Sequence, residues 1–357
     1  DLPWGIPVPN DPDQVIYVHR GAYHDVSGLK VRWGRKISVC LTAHNAADTI
    51  GQVLDSLAVQ QGVRPTDWEV VVADNNSSDR TVEIVKEKQA TIPCTLRIVR
   101  EPRQGSFFAR RSAALSAEGE ILAILDDDMT LDPEWLRKCL RFFDDHAKAA
   151  IAGGRVVVQS CGALPACWQD VRWMFGERAY MGNEAIRLED SILDVRQPCG
   201  GGTAVRALAA LEVYAGESFH LSGRAGMGFG SNEDIELAWQ ILKRGWESWY
   251  TPDLVSRHLI PAVRLSDQYL RRLKAGIAAS CVTMESLQEG GLYPPGRRMA
   301  VKKFWWAILC WSRNIREIFR RDQPSMIEAA GRRGRLRGSF LQMVESFRIY
   351  GWRPYLK

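Results

Sequence analysis

Apolar positions in the N-terminal third gather into short runs separated by longer amphipathic stretches. The runs are Ile37-Ser38-Val39-Cys40-Leu41-Thr42-Ala43, Trp68-Glu69-Val70-Val71-Val72-Ala73-Asp74 and Ile121-Leu122-Ala123-Ile124-Leu125. β-Branched and aliphatic residues dominate them and each is too short for a helix, so all are predicted as strands. Residues 49–60 and 81–89 read as helices. Strands alternating with helices predict βαβ units and an α/β domain with a mostly parallel sheet. Further helices are predicted over 206–214, after a glycine-rich turn, and over 235–244, where Gly245 stops the pattern.

Two of the three runs end in carboxylates. The third passes into Asp126-Asp127-Asp128, and the second closes on Asp74, followed by Asn75, Asn76, Ser77, Ser78 and Asp79. In open α/β sheets ligands bind beyond the carboxyl ends of the strands. Three adjacent carboxylates repel one another unless a cation sits among them, and hard oxygen ligands suit Mg²⁺ or Mn²⁺. Plain alternatives stand beside this reading. The triplet also fits a solvated acidic turn, and Asp74 fits an Asx turn with the asparagines after it. Glu233-Asp234, at the start of a predicted helix, fits an N-terminal cap.

Taken in order, Thr42-Ala43-His44-Asn45, Asp74 to Asp79, Ala109-Arg110, Asp126 to Asp128, Gly200 to Arg206, Glu233-Asp234 and His258 resemble the motifs of family 2 glycosyltransferases of the GT-A fold, over roughly residues 36–280. The resemblance implies a Rossmann-like, mixed but mostly parallel sheet with flanking helices, extended here by a helical C-terminal region. The expected division is an N-terminal arm over 1–35, a catalytic domain over 36–285 and a basic amphipathic region over 286–357. Within the catalytic domain, about 36–130 is the donor half and about 150–265 the acceptor half.

The activity implied is an inverting, metal-dependent transfer of a sugar from a nucleotide diphosphate to a hydroxyl of a glycan or lipid-linked acceptor. Its cofactor is Mn²⁺ or Mg²⁺. A UDP-linked hexose is the default donor, with GDP and dTDP sugars open. By the same resemblance Thr42, Ala43 and Asn45 meet the nucleoside, Asp74 bonds the pyrimidine base and Asp126 lies near the ribose. Asp128 binds the metal and His258 completes its shell. Gly201 and Gly202 let backbone approach the sugar or acceptor and supply N–H donors. Asp234 is the general base, and Glu233 orients the acceptor or supports Asp234. Asp127 takes a variable place with no role. His258 also fits a structural histidine, and the glycines a tight turn. Two positions depart from the family pattern: Ala46 stands where an acidic residue often touches the ribose, and Gly202 where an asparagine is frequent.

The chemistry accounts for these residue types. A divalent ion neutralises charge growing on the diphosphate, and one positioned carboxylate removes the acceptor proton. A glycoside hydrolase would need two carboxylates flanking the bond and no nucleotide cradle. A nucleotidyltransferase also uses strand-end aspartates, but no basic Gly-rich signature lies near the first strand. A catalytically silent binding or scaffold protein is the other alternative, and retention of Asp128, Asp234 and His258 together opposes it.

Composition changes the picture in two places. At 357 residues, 46% hydrophobic and 25% charged, the chain is an ordinary globular protein of one large domain with additions, or two domains. Its eight cysteines are scattered without a Cys-x-x-Cys pair, which predicts reduced thiols and a cytoplasmic protein; Cys161, Cys167 and Cys199 could still meet in space. Asp1 is not an initiator Met, so a removed leader stays open. Trp168, Trp173, Phe175 and Tyr180 mark 160–198 as an acceptor-side lid or a helical satellite core.

Charge is uneven: residues 297–357 hold 15 Lys and Arg against 4 Asp and Glu, net +11, and the rest of the chain is net −6. There Phe304, Ile308, Trp311, Ile315 and Ile318 recur at helical spacing, with Lys302, Arg313, Arg316 and Arg320 largely opposite. The apolar run is too short to span a bilayer. It fits either peripheral attachment to an anionic membrane, on its inner face, or a helix packed on the catalytic domain. Nucleic acid is a remote third partner, because the catalytic carboxylates would repel a polyanion.

Overall fold

The computed structural model describes residues 33–178, 182–188, 197–198, 200–216, 219–221, 223–224, 230–290, 295, 297–313 and 323–350. The arm expected over 1–35 lies outside them except for its last three residues, as do Tyr180, Cys199, Ile315, Ile318, Arg316 and Arg320. Two compact units divide the chain. The first takes residues up to Gln159, Gly176–Ser218 and Leu237–Leu259; the second takes Ser160–Phe175, Phe219–Glu236 and Ile260–Lys357.

The first unit is built on the strands the sequence announces. β1 (Arg35–Ala43), β2 (Trp68–Asp74), β3 (Thr95–Arg100) and β4 (Gly119–Asp126) lie parallel in the order β3-β2-β1-β4. Their apolar runs are continuous because helices cover both faces of such a sheet. The connecting helices are α1 (Ile50–Ala58), α2 (Thr81–Lys88) and α3 (Ser106–Ser116). After β5 (Met129–Leu131) and α4 (Trp135–Asp145) come β6 (Ala149–Gly153) and β7 (Val156–Ser160). The short helix α5 (Trp168–Val171), in the second unit, precedes β8 (Ile186–Leu188), β9 (Thr203–Arg206), α6 (Ala207–Gly216) and α7 (Glu233–Leu242). β10 (Glu247–Tyr250) and β11 (Ser256–Ile260) follow.

Among the described residues β9 runs antiparallel between β4 and β6, and β10 and β8 complete an eight-stranded mixed sheet. A second sheet has the order β5-β11-β7. This is the mixed, mostly parallel sheet with flanking helices expected from the motifs. Ile37, Leu41, Leu54, Leu57, Trp68, Leu125, Trp135 and Leu136 are essentially fully buried in its core.

One charge lies inside the sheet. Glu69, fully buried near the start of β2, accepts bonds from Ser38 Oγ (2.7 Å), the Glu118 N–H (2.7 Å) and Arg97 Nη2 (2.8 Å). The Gly119 N–H donates to Ser38 Oγ at 2.8 Å, and a Cβ on Gly119 would stand 2.4 Å from the Ser38 nitrogen. The strands β1, β2 and β4 are therefore locked at their N-terminal ends by one carboxylate.

The second unit is helical. α8 (Asp267–Gly290), α9 (Arg297–Arg313) and α10 (Gln323–Tyr350) make up most of it. α10 meets α8 through glycines: a Cβ on Gly334 would lie 2.1 Å from the Ala275 carbonyl oxygen, and one on Gly338 2.6 Å from that of Ala279. Gln342 Nε2 donates to Ser286 Oγ at 2.6 Å, and Ser346 Oγ to the Pro295 carbonyl at 2.8 Å. Trp168, Val171, Met174 and Phe175 are buried, with Lys274 Nζ over the Trp173 ring at 4.9 Å. No helix among the described residues is long and apolar enough to cross a membrane. Cys161 and Cys167 are free thiols.

Glu69→Ala leaves Arg97 and the Glu118 N–H without their shared acceptor. It is expected to cost roughly 3–5 kcal/mol, the scale for breaking a buried ion pair, read from urea unfolding at neutral pH.

Candidate active site

Register brings distant residues to one end of the sheet. Thr42 sits opposite Asp126, and Ala43 opposite Asp74, so the C-terminal ends of β2 and β4 deliver their carboxylates on either side of the end of β1. The Gly200–Gly202 turn joins them because Thr203, which starts β9, pairs with Ile124 of β4. His258 joins because β11 pairs antiparallel with β5, placing it opposite Met129.

The three consecutive aspartates do not face one common cation. Asp126 is held by Arg110 Nη2 on α3, at 3.0 and 3.3 Å from its two oxygens. Thr42 Oγ1 (3.3 Å) and the Gly201 N–H (3.1 Å) also donate to it. Asp127 Oδ2 accepts the His44 N–H at 2.8 Å. Asp128 Oδ2 lies 3.3 Å from His258 Nε2, both side chains being nearly buried. The repulsion that seemed to require a metal among all three is relieved by separate protein partners, which narrows the candidate metal ligands to Asp128 and His258.

Among the described residues no group of three His, Cys, Asp or Glu is placed to hold an ion. A two-ligand site nevertheless suits Mg²⁺ or Mn²⁺, which are commonly held by one or two protein groups together with substrate phosphates and water.

Around β2 the polar residues brace loops. Asp74 is buried, and its Oδ1 accepts the Ser77 N–H at 3.1 Å, closing the Asx turn. Asn75 ties this turn to α3: its Nδ2 donates to the carbonyls of Glu101 (3.0 Å) and Arg103 (2.6 Å), and its Oδ1 accepts the Gly105 N–H (2.8 Å). Asn45, at φ +50°, accepts the Ser78 N–H at 2.8 Å. Ala46 is buried with its N–H bonded to Thr81 Oγ1, so the acidic group often found at that place has no counterpart here. Burial pushes the Asp79 carboxyl up, but the Thr81 hydroxyl and the Ala47 and Thr81 N–H groups outweigh it and hold the group below its ordinary value.

The glycines act differently from expectation. The Gly201 N–H is engaged by Asp126, and that of Gly202 by the Ile124 carbonyl at 2.9 Å, so neither serves as a ligand donor in this structure. Gly202, at φ +76°, has no room for a side chain: its Cβ would stand 2.5 Å from Ser256 Oγ. Crowding from β11 thus accounts for glycine where asparagine is frequent. Arg110, Asn75 and Asp127 carry contacts that the motif reading left without a role.

Glu233 and Asp234 open α7 in the second unit, two residues earlier than the sequence pattern starts its helix. Their approach is fixed on α8: the Ser231 N–H donates to Ser280 Oγ (3.2 Å), and Asn232, at φ +72°, donates to Cys281 Sγ (3.4 Å). Glu233 is buried. One turn on, fully buried Glu236 accepts the N–H groups of His220 (3.0 Å) and Leu221 (3.0 Å), and contacts His220 Nδ1 at 2.9 Å. Glu236 shows in sequence only as one more acid on a helix.

Residues 38–184 match the family described as glycosyl transferase family 2. Through this segment the chain is similar to members of that family. It is similar to the glycosyltransferase AglE of Haloferax volcanii, 30% identical over 102 residues, covering 29% of this chain and 33% of that protein. It is also similar to the poly(ribitol-phosphate) beta-N-acetylglucosaminyltransferase TarS of Staphylococcus aureus, at 32% over 31% of this chain and 19% of that one. The succinoglycan biosynthesis protein ExoO of Rhizobium meliloti matches at 32%, over 40% and 37%. The chain thus spans between 19% and 37% of the length of these relatives. The family 2 segment contains β1 to β7 and ends before Gly201, Glu233 and His258.

Within that segment Glu101 carries a clear pH signature. Hydrogen bonds from Arg103 foremost, then from Ser112, hold its carboxyl at about 2, against an ordinary 4.5, despite burial. Its N–H also donates to the Asp74 carbonyl at 2.9 Å. A depressed carboxylate contributes stability that is fully present above about 4.5 and lost as pH falls toward about 2. Glu101→Gln is expected to flatten the fall in unfolding free energy over that window, measured by urea titrations at neutral and acid pH.

Proposed function

We propose that this chain transfers a sugar from a nucleotide diphosphate, with a UDP-linked hexose as donor, to a hydroxyl of a glycan or lipid-linked acceptor, with inversion. The observation that carries the reading is the meeting of Asp128, just after β4 in the family 2 segment, with His258 of β11, 3.3 Å apart although 130 positions separate them. Relatives named for succinoglycan biosynthesis and chondroitin synthesis support a polysaccharide or glycoconjugate product.

In this reading Asp74 and the loop after β1 take the nucleoside, and Asp128 with His258 hold a divalent ion. When bound, that ion supplies positive charge against the leaving diphosphate. Asp126, committed to Arg110, Thr42 and Gly201, sets the shape of the pocket wall more than it offers acceptor capacity to a ribose. Asp234 takes the proton from the attacking acceptor hydroxyl onto its carboxylate, and Glu233 orients that hydroxyl. Asn232 and Ser231 hold the turn that presents both.

Release of nucleoside diphosphate from a sugar nucleotide tests the reading against its alternatives. A nucleotidyltransferase would release pyrophosphate, and a silent binding protein neither.

Asp128→Asn is nearly isosteric and is expected to keep the fold while abolishing most Mn²⁺-dependent donor binding, followed by calorimetry with and without metal. His258→Ala should weaken the same dependence less. An unchanged metal titration in Asp128→Asn would remove it from the site.

Asp234→Asn is expected to leave donor affinity almost intact and to lower turnover by about 10²-fold or more, the scale for loss of a general base. Glu233→Gln should instead raise the acceptor KM. Steady-state kinetics with the acceptor varied distinguishes the two, and reversed effects would exchange the roles.

A further inference from the structure

Helices α9 and α10 turn the wrong side chains outward for a solvated bundle. Trp305, Trp306 and Leu309 on α9 are 59%, 62% and 47% exposed, and Phe340, Leu341 and Val344 on α10 are 46%, 52% and 39% exposed. Each set recurs at three- and four-residue spacing and so occupies one helix face. The Phe304 and Phe340 rings, 5.7 Å apart, link the two helices. Each apolar stretch is flanked along its helix by exposed cations: Arg298 and Lys302 before the tryptophans, and Arg333, Arg337 and Arg348 on either side of the α10 set. The described parts of the two helices hold only two carboxylates, both in ion pairs: Glu328 with Lys274 and Glu345 with Arg348.

The interior of the same bundle is already filled: Leu273, Ile277, Val282, Met284, Leu287 and Ile327 are buried, Gly334 and Gly338 sit against Ala275 and Ala279, and Gln342, Ser286 and Ser346 are buried in hydrogen bonds. The exposed aromatic set is therefore additional to the core and not part of it.

We propose that the exposed face of α9 and α10 docks on an anionic phospholipid bilayer, with the helices lying in the interface. Tryptophan and phenylalanine enter the headgroup boundary, and the flanking Arg and Lys reach its phosphates by extending their long stems. No described helix is long and apolar enough to cross a membrane, and the proposed contact is with the bilayer surface. Charge selects this occupant over a second copy of the chain, since residues 297–357 are net +11 and two such faces repel. The inference is independent of the catalytic reading.

The test is co-sedimentation of the full chain with phosphatidylcholine vesicles and with mixed phosphatidylcholine–phosphatidylglycerol vesicles. Partitioning should be at least about tenfold stronger on the anionic vesicles and should fall at about 0.5 M salt, where the Debye length is roughly 4 Å. Trp305→Ser with Trp306→Ser, and separately Leu341→Ser with Val344→Ser, should each reduce it about tenfold or more without lowering Tm, because these side chains are exposed. Arg333→Glu with Arg337→Glu, a surface change with little effect on folding, should abolish the anionic preference. No preference for anionic vesicles, or variants that partition like the wild type, overturns the proposal. So does lipid-free self-association, seen by sedimentation velocity, that the same serine variants eliminate.

Discussion

Crowding of negative charge at the ends of two parallel strands, β2 and β4, is the constraint on which this end of the sheet depends. A sheet that places Asp74, Asp126, Asp127 and Asp128 together cannot leave them facing one another in a partly desolvated crevice. The fold resolves this by giving each a different partner. Arg110 comes from α3, His44 from the turn after β1, His258 from β11, and the Asp74 carboxylate turns back on its own loop. The helices and the second sheet are in this sense counter-charges and donors brought to fixed addresses. Asp128 is left beside the His258 imidazole at 3.3 Å.

At the opposite end of the same strands the arrangement is reversed. One carboxylate, Glu69, gathers donors from β1, β3 and the start of β4. A single acid can be neutralised by several neighbours there, whereas several acids at the catalytic end each need their own. The rigidity of the register that aligns Thr42 with Asp126 owes something to this lock, four residues upstream on β1 and seven on β4.

Much of the first unit was legible because period and burial coincide. The strand at Trp68–Asp74 has the predicted ends, and the helices after β1 and β2 lie within the predicted spans. What stayed hidden was pairing. Nothing in Ser256-Arg257-His258 says that it will lie antiparallel to Met129, and that pairing alone sets His258 against Asp128. Arg110 was visible as part of a motif, but its destination depends on how α3 packs, and that is a tertiary fact. Gly202 read as a donor to ligand; its N–H and its lack of a side chain are instead explained by the neighbouring strands. Glu69 and Glu236 were illegible for a common reason. A buried acid and a solvated one look alike until the donors that satisfy it, at Ser38 and Arg97 or at His220 and Leu221, are seen to converge.

The glycine contacts between α8 and α10 carry a mechanical consequence. With Gly334 seated on the Ala275 carbonyl and Gly338 on that of Ala279, neither helix can slide or rotate without collision, so the two move as a single strut. The same α8 grips Ser231 and Asn232 through Ser280 and Cys281, the two residues directly after the second seat at Ala279. Glu233 and Asp234 therefore take their bearing from α8, and through its glycine seats from α10, and not from their own loop alone.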